Sequence, residues 1–156
     1  MPDIFWAANS FWSGLGTVII LTVCCLAIGF GSQRERTGGA IYLPAYGLVL
    51  ASQQFFPAGL SYTLITLDVI CLIAFIMLSW KSAHPWPVWA CLCQALSVTL
   101  HIAYANQPPP ANPITHQWAY HTVRAGLGYA ALTALLTGTL SAIRIRLASK
   151  RQNSHI

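Results

Sequence analysis

Long apolar runs fill the chain, broken by short polar segments at nearly regular intervals. Five runs approach the ~20 mostly apolar residues that a helix needs to cross a bilayer: residues 13–31, 40–56, 61–80, 86–105 and 117–143. The first contains TVIILTVCCLAIGF, without a charge. The second is short for a span and carries Pro44. A proline near a helix start costs little, because its missing N–H is unbonded there anyway. This segment is therefore read as a span, with a re-entrant hairpin beside four spans as the alternative.

The breaks support this division. SQRERTGG at 32–39 reads as a polar turn, and FPAG at 56–59 as a tight break with Ser61 placed to cap the next helix. KSAHPWP at 81–87 suits a helix start. NQPPPANP at 106–113 holds a proline run that cannot be helical and is expected to be extended. The expected fold is all-α, a polytopic transmembrane helical bundle forming a single domain over 1–156. A basic cytoplasmic tail occupies 144–156. No internal repeat is visible.

Composition narrows the class. Of 156 residues, 56% are hydrophobic and 7% charged, against about 25% charged in soluble domains. That excludes a soluble globule, which needs charge on its surface, and a disordered chain, which needs low hydrophobicity. Charge also sets orientation. With five spans, one side carries Arg34, Arg36, Lys81, Arg144, Arg146, Lys150 and Arg151, and the other side carries no basic loop residue. The positive-inside rule then places the N-terminus outside and the C-terminus in the cytoplasm. MPDIFWAANSFW lacks a positive segment before the apolar run, so span 1 is expected to be retained rather than cleaved. Phe5, Trp6, Phe11 and Trp12 are expected to anchor the outer interface, and Trp80, Trp86 and Trp89 the inner one.

The chemistry lies in the few polar groups within the runs. An ionisable residue in a span is costly and marks a candidate site. Asp68 and Arg124 each lie about seven residues inside a span entered from outside, so both sit roughly 10 Å below the outer helix ends. Equal depth and opposite charge predict an ion pair. Gln94, Ser97, His101 and Tyr104 recur at helical spacing on one face of span 4. His121 is three residues from Arg124, and Gln53 lies near the outer end of span 2. Asp68, Arg124, His101, His121, Gln94 and Gln53 are thus expected to converge in one layer beneath the outer surface. Such a layer either orders the helices or forms a functional site.

Span 5 has a second pattern. Gly126, Ala130, Ala134, Gly138 and Ala142 recur every fourth residue, a ladder of small side chains that lets helix backbones approach closely. Its expected partner is span 1 or a second copy of the chain. The five cysteines all fall inside spans, without a CxxC pair or a zinc-like spacing. They are read as small packing residues. The basic tail comes directly after span 5, where such residues set topology and meet anionic lipid. Nucleic acid is not an expected partner.

The segment LDVICLIAFIMLSWKSAHPWPVWACLCQALSVTLHIA, Leu67 to Ala103, resembles small alphaproteobacterial multi-span inner-membrane proteins. The likeness is carried by the Asp68 span, the Trp86-Pro87-x-Trp89 start, Gln94 and His101, with RERTGG at 34–39 also in keeping. It implies a helical protein of the bacterial inner membrane and assigns no activity.

No HExxH, GxSxG, paired carboxylates or phosphate-binding glycine loop occurs, so no enzyme is expected. An accessory subunit or self-associating scaffold of a membrane assembly is the first expectation, with the bilayer and other subunits or itself as partners. A small oligomeric transporter or channel using Asp68 and Arg124 is the alternative. A haem b or quinone protein is a third reading, with His101 and His121 as the haem ligands; otherwise no cofactor is expected.

Overall fold

The computed structural model describes residues 2–55, 60–80, 82, 84–108 and 112–153. The Phe56–Gly59 break, Lys81, most of the proline run and the side chains of the outer aromatic anchors, of Gln53 and of Ser61 lie outside the described residues. Among the described residues there are five helices and no strand: α1 (Pro2–Phe30), α2 (Gln33–Phe55), α3 (Leu60–Ser79), α4 (Trp86–Ala105) and α5 (Pro113–Asn153). Each helix packs on its neighbours in sequence, α5 closes against α1, and α2 also touches α5.

Three helical stretches are long and apolar enough to cross a membrane: Tyr62–Ser79, Trp86–Ala105 and Gln117–Gln152. Gly14–Phe30 adds a shorter apolar helix. The exterior is correspondingly apolar, with Val18, Ile70, Met77 and Leu96 all exposed. Exposed hydroxyls are satisfied within their own helices. Thr22, Thr66, Thr99, Thr133 and Ser141 each donate to the carbonyl four residues back. That arrangement suits lipid, where no water is present to accept these bonds.

Two helix starts differ from the sequence expectation. The segment 32–39 is not a loop, because α2 begins at Gln33. Ser32 caps it: its N–H donates to Glu35 Oε2 at 2.8 Å, and its hydroxyl donates to the same oxygen. This is one half of the Ser-x-x-Glu capping box: the Glu35 carboxylate reaches back to the Ser32 N–H, while the Ser32 hydroxyl donates to that carboxylate. Pro44 consequently lies well inside the helix, where it deletes a backbone hydrogen bond rather than riding free in the first turn. At the other end of the chain, α5 begins at Pro113, with Asn112 Oδ1 accepting from the Thr115 N–H at 3.3 Å. Asparagine at the cap and proline at the first helical position fix that start. α5 then runs on through the basic segment to Asn153, a helix about 60 Å long at ~1.5 Å per residue.

The core lies toward the end of the bundle where α1 finishes and α2 and α4 begin. Val23, Cys24 and Ala27 of α1 meet Cys71 and Phe75 of α3, Trp86 and Ala90 of α4, and Ala131, Leu132 and Leu135 of α5. Trp86 is the wedge of this core. It is 3% exposed, so it is not the interfacial anchor that the sequence suggests; Trp80 and Trp89 do remain exposed. A Cβ added at Gly38 would lie 2.7 Å from the Trp86 ring, and one at Gly138 would lie equally close to its Cγ. The indole thus occupies the space these two glycines leave.

Within one chain, the small-residue ladder of α5 is filled at one position by Trp86. Gly138 makes room for a large side chain, not for the backbone of α1. Gly126 meets nothing within 4 Å, and Ala130 is exposed. Ala134 and Ala142 are half-buried. The face of α5 that enters the bundle is instead Ala131, Leu132, Leu135 and Thr139, all buried. Cys24 and Cys71 are buried in the core, while Cys25 is exposed, and the cysteines are free thiols.

Candidate functional site: a buried carboxylate joining three helices

Asp68 projects from α3 toward the polar face of α4. Gln94 Nε2 donates to its Oδ1 at 2.8 Å, and the Ser97 hydroxyl donates to Oδ2 at 2.8 Å. His101 Nε2 donates to Oδ2 at 2.8 Å. Three successive turns of α4 therefore close on one carboxylate, and Gln94, Ser97 and His101 are all buried. Gln94 Nε2 also reaches the Asp68 carbonyl at 3.3 Å.

α5 supports this cluster from the other side. The Tyr120 hydroxyl pairs with His101 Nδ1. A carboxylate only accepts, so His101 Nε2 carries a proton. Both ring nitrogens are engaged, Nε2 by Asp68 and Nδ1 by Tyr120. The Tyr120 ring stacks on Tyr104 of α4 with centroids 4.2 Å apart, which continues the α4 stripe by one more turn. Arg124 Nε lies 3.8 Å from Asp68 Oδ2. This is an ion-pair distance but too long for a hydrogen bond. The side chains are 23% and 15% exposed for Arg124 and Asp68, and Arg124 Nε is shut off from solvent without a hydrogen-bond partner among the described residues.

Of the residues expected in this layer, Asp68, Gln94, His101 and Arg124 come together. His121 does not. It is exposed, and its ring meets the edge of Tyr120 at 5.0 Å between centroids. The donor set for haem does not fit: His101 has no free nitrogen, and His121 faces outward. Among the described residues no group of three or more His, Cys, Asp or Glu could hold a metal ion. Gln53 lies outside the residues whose side chains are described.

A cavity of about 320 Å³ lies beside the carboxylate, lined by Tyr42, Tyr46, Asp68, Arg124, Leu132 and neighbouring apolar residues. Tyr46 donates or accepts with Thr17 at 2.7 Å, tying α2 to α1. The Tyr42 hydroxyl is buried without a partner among the described residues, and its ring packs on Phe75 at 4.9 Å.

A second buried acid sits at the opposite end of the bundle. Glu35 is 2% exposed, and the Trp86 indole N–H donates to its Oε1 at 2.7 Å. Burial pushes the Glu35 carboxyl up, but hydrogen bonds from Ser32 and Trp86 outweigh it and hold the group below the ordinary glutamate range. Two arginines bind the neighbouring end of α1. Arg146 donates to the Phe30 and Gly31 carbonyls at 3.1 and 3.0 Å, and Arg36 to the Gly31 carbonyl at 3.2 Å. These cations cap the carbonyl end of α1, where the helix dipole favours positive charge.

Sequence reasoning misses Glu35, Tyr120 and Tyr42. Ser32-x-x-Glu35 is the signal for the first, and the four-residue spacing of Tyr120 from Arg124 for the second. Glu35 also makes stability depend on pH. Its folded pKa is lowered, so its contribution is present above the unfolded value of ~4.3 and is lost as pH falls through the folded value. Thermal unfolding in detergent should show wild type losing more stability than Glu35→Gln on moving from pH 7 to below this range. Equal losses would mean that the carboxylate carries no stability.

No family model, curated protein or solved structure matches the chain.

Proposed function

We propose that this chain is a non-enzymatic protein of the bacterial inner membrane, an accessory subunit or self-associating scaffold of a larger membrane assembly. In this reading all five helices span the bilayer, with the N-terminus outside. Support comes from the basic residues gathered near the shared end of α1, α2 and α5, where Arg36 and Arg146 both reach the last carbonyls of α1. Positive charge of this kind marks the cytoplasmic side.

The observation that carries the reading is that both Asp68 oxygens accept from α4. Gln94 donates to one, Ser97 and His101 to the other, so the acidic group deep in a span holds α3 to α4. Interhelical polar contacts of this kind order a bundle at roughly 0.6–2 kcal/mol each. The alternative, a small oligomeric transporter or channel, draws on a different observation: the cavity reaches both Asp68 and Arg124.

Purification in mild detergent, with native mass determination of the product, tests the proposal. A stoichiometric foreign subunit, or a defined homo-oligomer, is the expected result. A strictly monomeric, partner-free protein would contradict it.

A further inference from the structure

The cavity beside Asp68 contains more than the carboxylate cluster requires. Its walls are mostly apolar, with Ile20, Ala45 and Leu132 among them, and it reaches the bundle surface along α5 at Ala125 and Gly128. Two groups on its wall are shut off from solvent without a hydrogen-bond partner among the described residues, Arg124 Nε and the Tyr42 hydroxyl. Buried donors left unmade are costly, and native structures rarely tolerate them.

Charge balance then identifies what is missing. Arg124 already has its counter-charge in Asp68, 3.8 Å away. Both ring nitrogens of His101 are taken, one by Asp68 and one by Tyr120, so neither is open to a ligand. A second anion would face the Asp68 carboxylate at short range. The site therefore lacks hydrogen-bond acceptors rather than negative charge.

We propose that this cavity binds an uncharged, largely apolar molecule bearing carbonyl oxygen, which enters from the bilayer beside α5. The carbonyl accepts from Arg124 Nε–H, and the Tyr42 hydroxyl donates to the same or a second oxygen. A volume of about 320 Å³ is at the small end of the roughly 300–1,000 Å³ typical of ligand sites. It holds a head group and a short part of a chain rather than a whole phospholipid. Such chemistry has two sources in a membrane, a quinone ring or the ester carbonyl of a glyceride. The inference is independent of the scaffold proposal, since a monomer or an assembly could carry the same cavity.

The test is calorimetric titration of the purified full-length protein in detergent with four ten-carbon probes: a decyl-substituted benzoquinone, monodecanoylglycerol, decanoate and decane. One or both carbonyl probes should bind saturably to one site, at least tenfold more tightly than decanoate and decane. The tighter of the two names the source. Tyr42→Phe keeps the ring on Phe75 and removes only the unpaired hydroxyl, so it should fold normally. It should weaken the better probe by about tenfold, the worth of one buried hydrogen bond. Arg124→Gln should weaken it at least as much. Failure of both carbonyl probes to bind would overturn the proposal. So would decane or decanoate binding as tightly as they do, or unchanged affinity in Tyr42→Phe.

Discussion

Replacing Asp68 by alanine should lower the unfolding free energy by about 3–5 kcal/mol, the range found when one member of a buried charged cluster is removed. The loss has two parts. Gln94, Ser97 and His101 lose their common acceptor, and Arg124 loses its counter-charge in a span. Asp68→Asn should cost less. Its Oδ1 still accepts from Gln94, the Ser97 hydroxyl can turn to accept, and His101 can shift its proton to Nδ1 and donate to Tyr120. Arg124→Gln should be milder again, because Gln94, Ser97 and His101 still hold the carboxylate. This asymmetry replaces the simpler expectation that the two charges depend on each other equally. Denaturant or thermal unfolding in detergent measures all three. An Arg124→Gln loss equal to that of Asp68→Ala would show that the ion pair, and not α4, secures the carboxylate.

Trp86→Ala should cost a similar amount, about 3–5 kcal/mol, as large aromatic truncations in cores do. The indole fills the gap between Gly38 of α2 and Gly138 of α5, so its removal leaves a void that two helices must close. Removal also takes the indole N–H from Glu35 Oε1, leaving the Ser32 donors on Oε2. Trp86→Phe separates the two effects. It keeps most of the ring while leaving Glu35 Oε1 without that bond, at a cost of about 1–3 kcal/mol. If Trp86→Ala unfolded like wild type, the side chain would lie at the membrane surface and the core would be elsewhere.

Part of this arrangement is legible in the sequence because helices obey a fixed geometry. Gln94, Ser97 and His101 fall on one face of α4 by spacing alone, and that face is the one turned to Asp68. Arg124 can be matched to Asp68 by depth. Its helical neighbours are harder. His121 is three residues before Arg124, about 300° round the helix, and Tyr120 is four, about 400°. The difference of roughly one residue's rotation sends Tyr120 inward to His101 and leaves His121 outside. The start of α2 carries a legible signal, Ser32-x-x-Glu35, but the flanking arginines make the segment look like a turn. Trp86 cannot be placed from sequence. Tryptophan at a span end usually marks the membrane interface. Only the packing of α2 and α5 shows that Gly38 and Gly138 leave a hole for it. For the same reason the ladder on α5 identifies a place of small side chains without revealing what fills it.

The most direct measurement of whether α4 holds the Asp68 carboxylate is a pair of double-mutant cycles on unfolding, Asp68→Ala with Gln94→Ala, and Asp68→Ala with Arg124→Gln. Contacting residues couple by about 0.5–3 kcal/mol, whereas independent sites add. The expected result is strong coupling between Asp68 and Gln94, which meet at 2.8 Å, and weaker coupling between Asp68 and Arg124, at 3.8 Å. Additive losses for Asp68 and Gln94 would contradict the structural role assigned to the carboxylate and would favour the transport reading.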